Sequence, residues 1–180
     1  MSEQEKVLKF WFEDSEPKDW FTKSDAYDEK VRQVLGPLYE KARDGALDGW
    51  AETADGVLAL CILLDQVPRN IFRNSAKSFA TDPQALALTK AALERGFEND
   101  LNQDQKSFLL LPLEHSEDLQ DQERSVELFK IHGSDSGYDY AIRHRDIVAR
   151  FGRFPHRNAV LGRENTEEET EFLKQPGSGF

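Results

Sequence analysis

The sequence predicts an all-α protein of one domain, and three observations carry that prediction. Apolar residues recur at spacings of three and four nearly throughout, with no convincing run of strand-like alternation. Glycine, proline and short polar clusters divide the periodic stretches into about eight or nine helices with short connections, for which antiparallel pairs packed side by side are the economical arrangement. At 180 residues the chain can bury a core without disulfides or a structural metal.

The helices read off in order. An aromatic helix is expected over Gln4–Glu13, broken at "DSEPKDWF" by Pro17. A longer one runs from about Asp25 to Arg43, capped by Ser24 or Asp25, with a kink expected at Gly36 and Pro37. "DGALDGWAETADG" reads as a loop, and "VLALCILLDQ" is apolar almost all round, which marks the central buried helix. Pro68 should bias Val67 away from helix and open a short new one, "PRNIFR". "TDPQALALTKAALERG" carries Asp82 as cap, Pro83 in the first turn and Gly96 as stop. "NQDQKSFLLL" is expected to end at Pro112, the next helix to be capped by Ser116, and "GYDYAIRHRDIVARFG" to end at Gly152. Thr166 opens a last short helix, and the tail from about 175 to 180 should fray.

A formal net charge of -11 repels phosphate backbones and anionic membrane surfaces, so nucleic acid is a disfavoured partner. The longest apolar run, Val57–Leu64, is far too short to span a bilayer, and "MSEQEKVLKF" has no apolar leader core, so a cytoplasmic protein is expected. The single cysteine, Cys61, agrees with a reducing compartment and reads as a small buried hydrophobe. Trp11, Trp20 and Trp50 with Phe10, Phe12 and Phe21 read as core staples of the N-terminal helices. Against the acidic background, Arg143 to Arg163 holds six arginines, no lysine and one acid. Arginine alone suggests fixed, planar contacts to carboxylates or phosphates.

Polar residues on apolar faces are the functional signal. Asp65 shares the face of Leu58, Cys61 and Ile62; His144 lies in the stripe Ala141, Ile147, Val148, Phe151; Gln122 lies in the stripe Leu119, Val126, Phe129. All three should point inward, where a polar group must find partners, either in an internal network or in a lined cavity with His144 as acid, base or ligand contact. Arg143, Asp146 and Arg150 are spaced for local ion pairs. Glu114, His115 and Asp118, with His144, offer carboxylate and imidazole at helical spacing, but without the doubled Glu-x-x-His or the His-Glu-x-x-His that metal sites on helices use, so no metal and no cofactor is expected. Phosphate loops, dinucleotide-binding glycines, Cys-x-x-Cys and a nucleophile elbow are all absent.

At "LLDQVPRNIFR" (63–73), "LPLEHSEDLQDQ" (111–122) and "RFGRFPHRNAVLGR" (150–163), with "FWF" and "WF" early and "EEETEFL" late, the chain resembles the bacterial domain of unknown function 924 across nearly its whole length. The resemblance implies a tetratricopeptide-like helical fold and supplies no activity. The three blocks are expected to converge into one polar cluster. Its candidate catalytic residues are His144, His115 and Asp65; its candidate ligand contacts are Arg69, Asn70, Arg73, Glu114, Glu117, Gln122, Arg150, Arg153, His156, Arg157 and Asn158. Three functions fit: a small anionic ligand or enzymatic site, a helical module that binds a peptide in a concave groove, or an arginine–acid clasp with no ligand.

Overall fold

The apolar run Val57–Leu64 is the axis of the molecule. In a computed structural model describing residues 1–180, Thr53 Oγ1 accepts the Gly56 amide and starts α4 (Ala54–Cys61), which continues through a π-helical turn (Ile62–Gln66) into α5 (Val67–Ile71). Every residue from Gly56 to Pro68 is buried. Around this axis pack α1 (Glu3–Phe12), α3 (Asp25–Arg43), α6 (Asp82–Glu94) and α7 (Gln103–Glu114). The chain then stacks α7, α8 (Leu119–His132) and α9 (Asp135–Phe151) in succession. The α7/α8 pair is antiparallel: Gln103 Nε2 donates to the Gly133 carbonyl at one end (3.0 Å), and Gln122 Nε2 to the Glu114 carbonyl at the other (2.6 Å).

Counting 54–71 as one helix gives ten α-helices and no strand. The two beyond the expected set are short, α2 (Pro17–Phe21) and α10 (Asn158–Leu161), ahead of the last, α11 (Glu167–Leu173). Pro17 therefore starts a helix rather than breaking one, because its fixed φ suits a first turn that needs no N–H, and α1 has already ended at Phe12.

Prolines are carried inside helices more often than the sequence suggests. Val67 stays helical (φ -54°, ψ -46°) despite Pro68. Pro68 has no N–H for the Leu64 carbonyl, which accepts instead from the Thr81 hydroxyl. The Val67 amide reaches back five residues to Ile62, and the Asp65 carbonyl accepts from Arg69 Nη1 (2.6 Å). Helix α7 likewise runs through Pro112 to Glu114, and α3 runs through Pro37, which faces solvent.

Two caps differ from expectation. Asp118, not Ser116, caps α8 by accepting the Gln120 and Asp121 amides, while Ser116 Oγ donates to Asp121 (2.8 Å). Asp82 is the first residue of α6 rather than its cap, and its carboxylate serves arginines. Of the aromatic staples, Trp11, Phe12 and Trp20 surround Phe108 with centroids 5.0–5.7 Å away, whereas Phe21 is 75% exposed. Gly152 (φ 69°) ends α9 as expected. Segment 175–180 does not hang free; it folds back and lays the Phe180 ring on His144.

Candidate functional site

The π turn presents Asp65, 1% exposed, to the end of α7. His115 Nδ1 lies 2.8 and 2.9 Å from the two Asp65 oxygens, Gln66 Nε2 donates at 2.7 Å, and Arg69 Nη1 stands 3.3 Å away. Burial opposes ionisation of Asp65, but Arg69 and His115 overcome it and hold the carboxyl well below its ordinary range. Because Asp65 accepts, the proton of neutral His115 sits on Nδ1, which leaves a lone pair on Nε2 with no protein partner. Burial, then the Arg69 charge, lowers the His115 pKa, so the ring is neutral at pH 7.

Arg69 also grips Asp82 with both guanidinium ends (2.7 and 2.9 Å), and Arg157 approaches the same carboxylate at 3.6 Å. Arg157 is buried between the Phe79 and Phe154 rings, 4.5 and 4.6 Å from their centroids, and Nη2 donates to the His115 carbonyl (3.0 Å). Pro155 begins the turn that brings it inward, and Phe154 before it is extended (φ -91°, ψ 105°). Burial and then Arg69 lower the Arg157 pKa to about 10, so it remains a cation at neutral pH, though an undercompensated one.

Beside this network Glu114 meets His144, with His144 Nδ1 2.8 Å from the Tyr140 carbonyl and 3.2 Å from Glu114 Oε1. The contact is not an ion pair. Burial, and then Asp65, raises the Glu114 pKa to about 8, while burial, and then His115, lowers that of His144 to about 3. At pH 7 Glu114 and His144 are therefore both neutral, with the single His144 ring proton on Nδ1 facing the Tyr140 carbonyl. Seven buried side-chain atoms in the protein have no hydrogen-bond partner, and five belong to this region: Glu114 Oε2, Gln122 Oε1, Ser125 Oγ, His156 Nδ1 and Arg157 Nε. Native interiors leave few such atoms, so their concentration here is unusual.

The outer arginines are satisfied. Arg163 donates to both Glu117 oxygens (2.8 and 2.9 Å), and Glu117 also accepts the Phe154 amide (2.7 Å). Arg153 grips Glu169 (2.7 and 2.8 Å), near which Asn158 also lies, and Arg150 pairs with exposed Glu168 (2.7 Å). Arg150 and Arg153 thus turn toward α11, and not toward Asp65 or the acids of 114–123. The pairing expected of Asp146 with Arg143 and Arg150 does not form; Asp146 pairs with Arg145 (2.6 Å). Asn70 and Arg73 belong elsewhere: both donate to Asp28 of α3, in a separate cluster that borders a surface cleft.

The segments 63–73, 111–122 and 150–163 thus meet directly, through Asp65–His115, Arg157–His115 and Glu117–Phe154, with Asp82 bridging the first to the third. Asp82, Asp28 and Phe180 are participants that sequence reading missed. No set of three or more His, Cys, Asp or Glu side chains gathers as metal ligands, and Asp118 is occupied as a cap. Cys61 is buried beside Thr89 (3.5 Å), and burial pushes its thiol up to about 12.

A family model described as bacterial protein of unknown function (DUF924) matches residues 7–177. The chain belongs to the DUF924 family. A solved structure, the protein of unknown function ATU0120 from Agrobacterium tumefaciens, is 40% identical with a TM-score of 0.91, covering 95% of this chain and 96% of that one. No curated protein matches the chain. The family and its solved member supply a fold and no reaction, so chemistry has to be argued from the side chains.

Proposed function

We propose that the cluster at the end of α7 is a proton-transfer site for a small anionic molecule. The observation that carries this reading is the Asp65–His115 dyad, whose imidazole has one nitrogen fixed by a buried carboxylate and the other unengaged. That arrangement orients a histidine and stabilises the imidazolium it forms on taking a proton. His115 is then the base, Glu114, protonated at neutral pH, is the proton donor, and Arg157 supplies the positive charge that an anion would complement. His144 and Gln122 position Glu114, through the His144 Nδ1 contact with Oε1 and the Gln122 Nε2 bond to its carbonyl.

The successive antiparallel packing of α7, α8 and α9 supports a tetratricopeptide-like arrangement within the same reading. The buried, unpaired Cys61 supports a cytoplasmic location. A second reading, a clasp with no ligand, is favoured by the pairing of Arg150, Arg153 and Arg163 with carboxylates, and it describes that outer layer well.

Thermal melting of the full chain against a panel of small carboxylates and phosphate esters tests the proposal. A true ligand at about ten times its Kd should stabilise by about 1.4 kcal/mol, or roughly 3–6 °C for a chain of this size. His115→Gln should abolish that shift. A panel that moves neither protein, or moves both equally, would leave the clasp as the better reading.

A further inference from the structure

The Phe180 ring lies on His144 with centroids 3.6 Å apart and an interplanar angle of 17°. All other aromatic pairs in the protein have centroids 4.9–6.5 Å apart. Tyr140, His156 and Phe154 stand around the same ring at 6.2, 6.0 and 6.4 Å, each steeply inclined to it, so the slot accepts a flat group and walls it with edges and faces. The floor, His144, is 4% exposed and its Nε2 has no partner in the protein; His156 Nδ1, in the wall, is buried and unpartnered as well.

Charge lies at the rim. Arg143 is exposed and makes no ion pair or hydrogen bond; its guanidinium rests 5.6 Å from the Phe180 centroid and 4.9 Å from that of Tyr140. Asp139, one turn earlier and within pairing reach along the helix, does not pair with it. Both line an adjoining cleft of about 390 Å³.

The segment carrying Phe180 is fitted to this surface but held weakly. Gly177 lies in the left-handed region (φ 77°), which favours glycine, and a Cβ on Gly179 would stand a tight 3.3 Å from His156 Cβ. Yet the Phe180 residue remains 46% exposed, which limits what its burial contributes. The ring stays seated because a tether of a few residues from α11 keeps its effective concentration high.

We propose that the His144 slot is a binding site for a planar aromatic anion, its ring stacked on His144 and its charge at Arg143, and that Phe180 occupies the slot until such a ligand displaces it. It stands on the unpaired Arg143 at the rim for its charge preference and on the stacking geometry for its ring, independently of the proton-transfer reading above.

Calorimetric titration of the full chain and of Phe180→Ala with 2-naphthoate tests it, with cyclohexanecarboxylate as the same charge without a flat ring and 2-naphthylmethanol as the ring without the charge. Removing the internal competitor should tighten naphthoate binding about tenfold. Phe180→Leu, which keeps an apolar side chain and loses the flat ring, should show the same gain. Arg143→Gln should weaken naphthoate and leave 2-naphthylmethanol unchanged. Equal naphthoate affinity in the parent chain and both Phe180 variants, or no binding to any of them, overturns the proposal. Equal binding of naphthoate and cyclohexanecarboxylate overturns the ring slot while leaving the small-anion site standing. A gain in Phe180→Ala that survives His115→Gln sustains the slot whatever becomes of the proton-transfer chemistry.

Discussion

The segment 150–163 makes two kinds of contact a few residues apart, and they differ in kind. Its outer arginines, Arg150, Arg153 and Arg163, each form a close ion pair with a carboxylate that no other cation pairs with. Its inner arginine, Arg157, shares Asp82 with Arg69 and leaves Nε unpaired between the Phe79 and Phe154 rings. The outer layer obeys the rule that charges are matched; the inner one departs from it. A folded chain tolerates such a departure where the surrounding structure fixes it in place, and functional sites are where such departures collect.

The largest expected effect strikes the inner layer. Asp65→Asn removes the carboxylate charge that contacts both Arg69 and His115, and loss of one partner from a buried charge network should cost about 3–5 kcal/mol in urea unfolding. A cost under about 1 kcal/mol would mean that the inner network contributes no more than a surface pair.

Next, the two layers should respond to pH with opposite sign. Glu114, raised from 4.5 to about 8, holds a proton in the folded chain that the unfolded chain releases, so its contribution to stability falls as pH rises from about 4.5 to about 8. Glu114→Gln, which is neutral throughout, should match the parent near pH 4.5 and exceed it by on the order of 2 kcal/mol above pH 8. Glu169, lowered to about 2 first by its hydrogen bond from Arg153, stabilises above its ordinary pKa of 4.5 and loses that effect as pH falls toward 2. Glu169→Gln should therefore cost about 1–2 kcal/mol at neutral pH and progressively less in acid. Melting curves for both variants across pH check the contrast, and parallel curves would erase it.

The smallest effect belongs to Arg150. Its pair with Glu168 is exposed on both sides, and Arg150→Ala should change stability by less than about 0.5 kcal/mol.

Much of the inner layer was legible because helical spacing places Asp65, Gln122 and His144 among apolar neighbours, and all three are buried. The contacts were less legible, for reasons particular to each. Asp82 looks like a helix cap in local sequence, and nothing nearby shows that Arg69 and Arg157 will claim it. Asn70 and Arg73 fall in the same run of sequence as Asp65, yet they serve Asp28, 42 and 45 residues away in the chain. Pro68 and Pro112 look like stops, but the cost of a proline inside a helix depends on whether something else satisfies the carbonyl it frees, and Thr81 does so for Leu64. Phe180 sits in a Gly-rich stretch that reads as fraying, and only the fold places His144 beneath it.

The π turn at Ile62–Gln66 works as a counting device. Each residue of a helix advances the azimuth by about 100°, so one surplus residue within a turn offsets the phase of everything after it. Upstream of the surplus, Val57 to Cys61 are apolar and buried; downstream, Arg69 turns toward Asp82 of α6. Deleting one of Ile62, Leu63 or Leu64 would remove the surplus residue while keeping Asp65 and Gln66, and would swing Arg69 away from Asp82. The aim of the cluster is therefore written in chain length as much as in side-chain identity.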